Sequence, residues 1–309
     1  MNTEKMTEAI LNAGVSAVAK EEGSLLVDHW ITHNQADASW KIFSVEAGFV
    51  LWLDNLTAII GAQDCICEEG GRIIGGEWKT SKEKDKYWNE NAWLESISDG
   101  SQIAIYALAL REGTYYEEGR EPFTPRVSVP RIRVRAISKS NPPELWPTDP
   151  SKGIISFSDI ELENVRNALL SKAAGIRGMK RAGVIPWQLP GIWCTNMFRR
   201  QCEHYSDCTQ QIYPVTGRSR FDPNDPAAKL ALPHINNDDP ELVILSASSY
   251  GTASECAEKY RRNALTDHGR KEESLALDLG TVLHAGVAAW YKEIRSDQQN
   301  SLDREVASE

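Results

Sequence analysis

The feature that most restricts the fold is a run of three strand-like segments between residues 42 and 80, the last two joined by a short glycine turn. Apolar and polar residues alternate in IFSVEAGFVLWL, in TAIIGAQDCIC and in GRIIGGEWKT, a pattern typical of half-buried β-strands. Gly70-Gly71 suits a two-residue type I′ turn, because both turn positions need a positive φ. We therefore expect a hairpin in which residues whose numbers sum to 141 face each other.

This register brings two carboxylates together. Asp64 is placed opposite Glu77, and Lys79 lies two residues further along the same face. Opposed carboxylates repel each other, and a hard divalent cation such as Mg²⁺ removes the repulsion and supports hydrolysis of phosphate esters. The lysine would orient the attacking water or stabilise the transition state. A solvated face of an amphipathic hairpin is the alternative interpretation.

Helical and irregular segments make up much of the remaining chain. Apolar residues at helical spacing predict helices at about 5–22, 101–111, 159–175 and 275–294. Five prolines among Asp and Asn residues indicate a linker at 214–240. The polar, acidic tail at 296–309 is predicted to be loose.

Composition narrows the class of protein. The chain has 309 residues, of which 41% are hydrophobic, so it has the material for a sizeable core in one large α/β domain or two smaller ones. The sequence has no apolar run long enough to span a membrane, and it has no signal peptide. We therefore expect a cytoplasmic protein with no membrane partner. Six cysteines in such a chain favour metal or cluster ligands over disulfides.

The net charge of −10 is unevenly distributed. Residues 111–220 hold 17 Lys and Arg against 11 Asp and Glu, a net charge of +6. Part of this charge lies on a strand-like segment from Arg126 to Lys139, RVSVPRIRVRAISK. A basic groove in an acidic chain is compatible with nucleic acid, and solvated surface charge is the alternative. The overall acidity therefore does not exclude DNA.

Together these motifs resemble the core of the PD-(D/E)XK nucleases, and in particular their RecB-like branch. The core is matched by Gly61–Asp64 (GAQD) and Glu77–Thr80 (EWKT). The Gln-x-x-x-Tyr helix of that branch is matched by Gln102–Tyr106, and its Gly-x-x-x-His helix by Gly280–His284. The resemblance implies an α/β fold, with a restriction-endonuclease-like central mixed sheet flanked by helices and a cysteine-bound subdomain.

The resemblance also implies roles for individual residues. The implied ligands of Mg²⁺ or Mn²⁺ lie on the hairpin, on a later helix and, as a weaker candidate, upstream of the hairpin: Asp64, Glu77, the Trp78 carbonyl, His284 and Glu46. Lys79 would act on the attacking water, while Gln102 and Tyr106 would support the site and hold the DNA strand. A structural histidine and a surface Gln–Tyr pair are the alternatives for the two helices.

Four cysteines resemble cluster ligands. Iron–sulfur members of this branch (AddB and the CRISPR-associated adaptation nucleases) place one cysteine before the nuclease core and three after it. The resemblance implies a [4Fe–4S] cluster on four thiolates: Cys194, Cys202, Cys208 and Cys256. Zinc, with His204 replacing one thiolate, and free buried cysteines are the alternatives. Cys65 and Cys67 are predicted to be core residues.

The order of the motifs departs from the family. The segments with Cys256 and His284 open the family's domain, but here they follow the linker. We expect a circular permutant in which 1–213 holds the nuclease core and the cysteine triplet, and 241–295 completes the same domain. A truncated second copy that begins near Leu245 is the alternative.

The function that these observations predict is metal-dependent cleavage of DNA phosphodiesters. We expect a phage-encoded exonuclease of recombination or repair that acts on single-stranded DNA or duplex ends, with a single-strand annealing protein or a helicase as partner. One alternative is an iron–sulfur DNA-binding or adaptor protein with a vestigial nuclease site. Another is a zinc-stapled hydrolase of a phosphodiester that is not nucleic acid.

Overall fold

The protein is described by a computed structural model. The described residues are 3–81, 88–98, 101–140, 142–182, 227–236, 239–246 and 275–308. The α-helices within them are α1 (Thr3–Asn12), α2 (Ala17–His33), α3 (Glu90–Ser98), α4 (Ser101–Glu112), α5 (Asp159–Ala182) and α6 (Leu275–Ser308). Short turns of 3₁₀-helix lie at Gln35–Ser39, Pro150–Gly153 and Leu232–His234, and a π-helical turn lies at Ala227–Ala231.

The described strands form one mixed sheet. They are β1 (Lys41–Asp54), β2 (Thr57–Glu69), β3 (Arg72–Ser81), β4 (Thr114–Tyr116), β5 (Arg131–Ser138), β6 (Glu144–Trp146), β7 (Ile154–Ser156) and β8 (Val243–Ser246). The order is β4-β1-β2-β3-β5-β6, with β7 also on β5 and β8 also on β2. The β1–β2–β3 meander is antiparallel, whereas β3 with β5 and β2 with β8 are parallel. The predicted α/β fold with a central mixed sheet flanked by helices is confirmed.

The hairpin between β2 and β3 has the predicted register. Its ladder pairs Glu69 with Arg72 and Cys65 with Gly76, so paired numbers sum to 141. Gly70 and Gly71 have φ values of 56° and 77°, which only glycine adopts without a steric cost. The ladder ends at Cys65 and Gly76, and Asp64 and Glu77 are the next residues on each strand.

Helices cover both faces of the sheet. On one face, α4 and α5 pack against alternating side chains of β5, such as Ile132 and Val134. On the other face, α1, α2 and α6 bury a cluster that includes Trp30, Trp78 and Trp290. Cys65 and Cys67 lie in this second cluster as free, buried thiols, which confirms that they are core residues. No helix in the described part of the chain is long and apolar enough to cross a membrane.

Helices α2 and α6 cross closely because each has a glycine at the crossing. A Cβ atom at Gly23 would lie 2.4 Å from Val282, and one at Gly286 would lie 2.6 Å from Val27. Each glycine therefore leaves room for a valine of the other helix. Because His284 is two residues before Gly286, this crossing also sets the position of the histidine.

We expect Gly286→Ala to destabilise the fold by about 1–3 kcal/mol, since the added methyl group overpacks the crossing. Gly175→Ala is a matched control in α5, where a Cβ meets nothing within 4 Å. It should stabilise the helix by up to about 1 kcal/mol, because alanine has the higher helix propensity. Urea unfolding of both variants measures the difference, and equal stabilities would contradict the close crossing.

A buried polar cluster connects α6 to the sheet. Asp37 is 1% exposed. It accepts a hydrogen bond from the Tyr291 hydroxyl at 2.6 Å and pairs with the Arg135 guanidinium of β5. The Tyr291 ring stacks on Trp78 with ring centroids 5.5 Å apart. Since Trp78 lies between Glu77 and Lys79, this cluster fixes α6 against the strand that bears both residues.

Three segments differ from the sequence-based expectation. The helix predicted at 5–22 is two helices, because the Ser16 side chain caps α2 by accepting a hydrogen bond from the Ala19 amide at 3.3 Å. Helix α6 continues to Ser308, so residues 296–308 are helical and the expectation of a loose tail is wrong. Within the predicted linker, Ala231 packs with Val50 and Ile60 of the sheet.

Candidate active site

Asp64 connects three elements at the end of the hairpin ladder. Its Oδ2 atom accepts a hydrogen bond from the Trp78 amide of β3 at 2.5 Å. Its Oδ1 atom lies 3.2 Å from Nδ1 of His284 on α6. The structure therefore brings His284 to the hairpin carboxylate, although 219 residues separate them in the chain.

Glu77 lies at the centre of the remaining predicted residues. It is 1% exposed, and its Oε1 atom is 2.5 Å from Lys79 Nζ. The same oxygen accepts a hydrogen bond from Gln102 Nε2 at 3.0 Å, and Gln102 Nε2 also donates to the Tyr106 hydroxyl at 2.8 Å. Helix α4 therefore directs both side chains of the Gln-x-x-x-Tyr motif to the carboxylate, as i, i+4 spacing allows.

Burial and like charge perturb the titration of these groups. Burial, and next the charge of Asp64, raise the pKa of Glu77 to about 7. Burial lowers the pKa of His284, but the adjacent Asp64 outweighs it and the net result is a pKa of about 9. For Lys79, burial lowers the pKa, whereas Glu77 and Asp64 raise it further, so that the net shift is upward. Near neutral pH the site therefore holds protonated Lys79 and His284 beside buried Glu77, whose carboxyl is only partly ionised.

Glu46 lies at the margin of this site. Its backbone has a positive φ of 52°, which is uncommon for a residue other than glycine. Burial raises the pKa of its carboxyl, and the charge of Asp64 also raises it. The Lys292 ammonium is 3.9 Å away and opposes both effects. The charge of Asp64 therefore affects the pKa of Glu46, whereas the ion-pair partner of Glu46 is Lys292 of α6.

The donor set fits a hard divalent cation. Glu77 Oε2 is buried and has no hydrogen-bond partner among the described residues, a costly state for a carboxylate oxygen. In the described part of the chain, no group of three or more His, Cys, Asp or Glu residues forms a ready-made metal site. Two carboxylates supplemented by water and phosphate oxygens are the usual ligands of Mg²⁺, and Asp64 and Glu77 provide that pair.

Two arginines of the basic segment, Arg133 and Arg135, are paired inside the fold and do not lie free on the surface. Arg133 pairs with Glu69 and donates to the Pro150 carbonyl at 3.1 Å. Arg135 pairs with Asp37, and both guanidinium groups lie about 5 Å from the ring of Trp40, at 5.2 and 5.0 Å. Arg133 and Arg135 are therefore paired within the fold and do not contribute to a basic groove on the segment from Arg126 to Lys139.

Two sets of residues complete the comparison with the sequence. The predicted cluster ligands Cys194, Cys202, Cys208 and Cys256, and the alternative ligand His204, lie outside the described residues. Sequence reasoning missed Tyr291, which is seven residues after His284 and thus on the same helix face. It also missed the Trp78 amide as a donor to Asp64. The i, i+7 spacing is a signal for Tyr291, but its partner Asp37 has no such local signal.

Comparison with known proteins gives one family. The family model described as the PD-(D/E)XK nuclease superfamily matches residues 2–208, about two thirds of the chain. This range contains the hairpin carboxylates, Lys79 and helix α4, whereas His284 lies outside it. Searches of curated proteins and of solved structures gave no match. Because the match covers more than half of the sequence, the chain belongs to the PD-(D/E)XK nuclease superfamily.

Proposed function

We propose that the protein is a Mg²⁺- or Mn²⁺-dependent nuclease that hydrolyses DNA phosphodiester bonds. One observation carries the proposal: the Oε2 atom of buried Glu77 has no hydrogen-bond partner among the described residues, although the charge of Asp64 acts on this carboxylate and its Oε1 atom pairs with Lys79. A structural ion pair would satisfy both carboxylate oxygens. An oxygen left without a donor is instead available to a cation, which would also offset the repulsion from Asp64.

Asp64, Glu77 and the Trp78 carbonyl are the groups that would hold the cation. When bound, it supplies Lewis-acid polarisation of the phosphate and a lowered pKa for the attacking water. The Trp78 amide fixes one oxygen of Asp64, which leaves the rotamer of that carboxylate little freedom. Gln102 fixes Glu77 in the same way from α4. Both ligands are thus held in position before substrate binds, which favours transition-state stabilisation.

Lys79 is best suited to an electrostatic role. Its raised pKa keeps the ammonium protonated near neutral pH, so it is a poor base. A fixed ammonium beside the carboxylates would instead orient the attacking water and stabilise the negative charge that develops on the phosphate. Tyr106, whose hydroxyl accepts from Gln102, supports the Gln102 side chain.

His284 and Glu46 complete the proposed site. With Nδ1 next to Asp64, His284 either orients that carboxylate or becomes a ligand once deprotonated. Glu46, which senses the charge of Asp64, is the weaker candidate for a further ligand. We also propose that His284 belongs to a permuted segment. Helix α6 packs on α2, and strand β8 pairs with β2 of the sheet, although α6 and β8 both follow the linker in the chain.

The finer function that we propose is an exonuclease of recombination or repair in the cytoplasm. Its DNA substrate would have single-stranded or duplex ends, with a single-strand annealing protein or helicase as partner.

The cysteines Cys194, Cys202, Cys208 and Cys256 are proposed to hold a [4Fe–4S] cluster, with zinc as the alternative. Anaerobically purified protein should then be brown and contain iron and sulfide, whereas colourless protein that contains zinc would overturn the cluster.

The function is tested with purified protein and DNA that differs only in its ends. We expect Mn²⁺ to support degradation of end-labelled linear DNA, and EDTA to abolish it, because both carboxylates need a cation to act. Covalently closed circular DNA of the same sequence should persist if the enzyme is an exonuclease. Cleavage of the circle would contradict the exonuclease mode. If both the linear and the circular DNA stay intact with Mn²⁺, the nuclease activity itself is contradicted.

A further inference from the structure

The start of the basic segment forms a groove at the hairpin end of the sheet, away from Asp64 and Glu77. Arg72, Arg126 and Arg131 line an open groove of about 490 Å³ together with Ile73, Pro125 and Val129. We call this the arginine groove. Arg72 is the first residue of β3, five residues before Glu77, which places the groove about 16 Å from the carboxylates along the strand.

The three arginines differ from the others in this chain. Every other arginine whose side chain is described contacts a carboxylate or a backbone carbonyl oxygen. Among the described residues, none pairs with Arg72, Arg126 or Arg131. Arg72 and Arg126 are exposed, and Arg131 is half-buried. Three guanidinium groups on one groove, with no counterion among the described residues, favour an anionic ligand.

The backbone of the groove is also unusual. Arg126 has a positive φ of 54°, a conformation that strains a side chain with a Cβ atom. Strain of this kind persists where the surrounding structure or a function maintains it. Glycine would adopt this backbone conformation without strain. Arginine at this position supplies a positive charge to the groove at the cost of a strained backbone.

We propose that the arginine groove binds the phosphate backbone of DNA at a point beyond the cleavage site. This proposal rests on the proposed function, because it names a further contact for the same substrate. The separation of about 16 Å corresponds to about five base pairs of B-form DNA. The groove would therefore contribute to binding of long DNA and leave hydrolysis of a small phosphodiester unchanged.

The test is a salt titration of DNA binding in EDTA, where no cleavage occurs. A labelled duplex of about 40 base pairs is the probe, and the triple variant is Arg72→Ala, Arg126→Ala, Arg131→Ala. We expect its affinity to fall about 10-fold or more at low salt, and the slope of log K against log salt to decrease by about 2.7, or 0.9 for each lost phosphate contact.

The control triple variant changes net charge equally but leaves the groove intact. It is Arg111→Ala, Arg120→Ala, Arg181→Ala, three arginines that are paired with carboxylates elsewhere. Its slope should stay close to that of the unmodified protein. Equal losses in both variants, or an unchanged slope in the groove variant, would overturn the proposal.

Two further measurements separate binding from folding and from catalysis. Arg126→Gly should weaken DNA binding without lowering the melting temperature, since glycine relieves the strained backbone. A lower melting temperature with unchanged affinity would instead assign Arg126 a structural role and overturn its part in the proposal. Mn²⁺-dependent hydrolysis of bis(4-nitrophenyl) phosphate should be equal in the groove variant and the unmodified protein. If the unmodified protein degrades no linear DNA with Mn²⁺, the nuclease proposal fails while the titration still tests the groove.

Discussion

Replacing Lys79 with alanine is expected to lower the rate of Mn²⁺-dependent DNA cleavage by about 10²- to 10³-fold, the usual cost of losing one preorganised stabilising group. The ammonium lies 2.5 Å from Glu77 Oε1, and its raised pKa keeps it charged near neutral pH. No other lysine of the described residues makes an ion pair with Glu77. The loss should appear in the rate at saturating DNA and metal.

Lys5→Ala is the matched control for this prediction. Lys5 is exposed and pairs with Glu293 on the outer helices, so its removal should leave the rate within a factor of about two, as for an ordinary surface substitution. Circular dichroism should show that both variants are folded. A Lys79→Ala enzyme as fast as the Lys5→Ala enzyme would contradict the electrostatic role.

Asp37→Ala is expected to have the largest effect on stability, a loss of about 3–5 kcal/mol in the free energy of unfolding. The substitution leaves Arg135 partly buried without its carboxylate and removes the acceptor of the Tyr291 hydroxyl. Tyr291→Phe, which removes one hydrogen bond to the same carboxylate, should cost only about 1–3 kcal/mol. Urea unfolding followed by tryptophan fluorescence measures both.

Two control variants accompany this second prediction: one removes both charges of the buried pair, and the other removes a carboxylate from the surface. In the double variant Asp37→Ala, Arg135→Met, no uncompensated charge remains, so part of the lost stability should return. Asp28→Ala on the exposed side of α2 should change the stability by no more than about 0.5 kcal/mol. Equal losses for Asp37→Ala and Asp28→Ala would show that the buried cluster does not stabilise the fold.

The sequence predicts the hairpin well, because its determinants are local. The period-two pattern of β2 and β3 and the two glycines at the turn fix the register, so the proximity of Asp64 and Glu77 follows from counting residues. The i, i+4 spacing of Gln102 and Tyr106 likewise determines that both lie on one face of α4. The hydrogen bonds of Gln102 to Glu77 and Tyr106 agree with that prediction.

Non-local pairing explains where the sequence misleads. Arg133 and Arg135 resemble surface charge on a strand, but Glu69 and Asp37, which neutralise them, come from β2 and a 3₁₀ turn far away in the chain. A carboxylate as buried as Asp37 has no local pattern that marks it. The contact of His284 with Asp64 was expected from the family motif, since nothing near His284 in sequence indicates its partner.

The central claim is that Glu77 holds a catalytic cation, and Glu77→Gln tests it most directly. The amide keeps the size of the side chain but removes the charge, so Mn²⁺-dependent cleavage of linear DNA should fall to the level of the EDTA control. Glu68→Gln makes the same change elsewhere in the hairpin and should cleave at the unmodified rate. A Glu77→Gln enzyme that degrades DNA as fast as the Glu68→Gln enzyme would contradict the account.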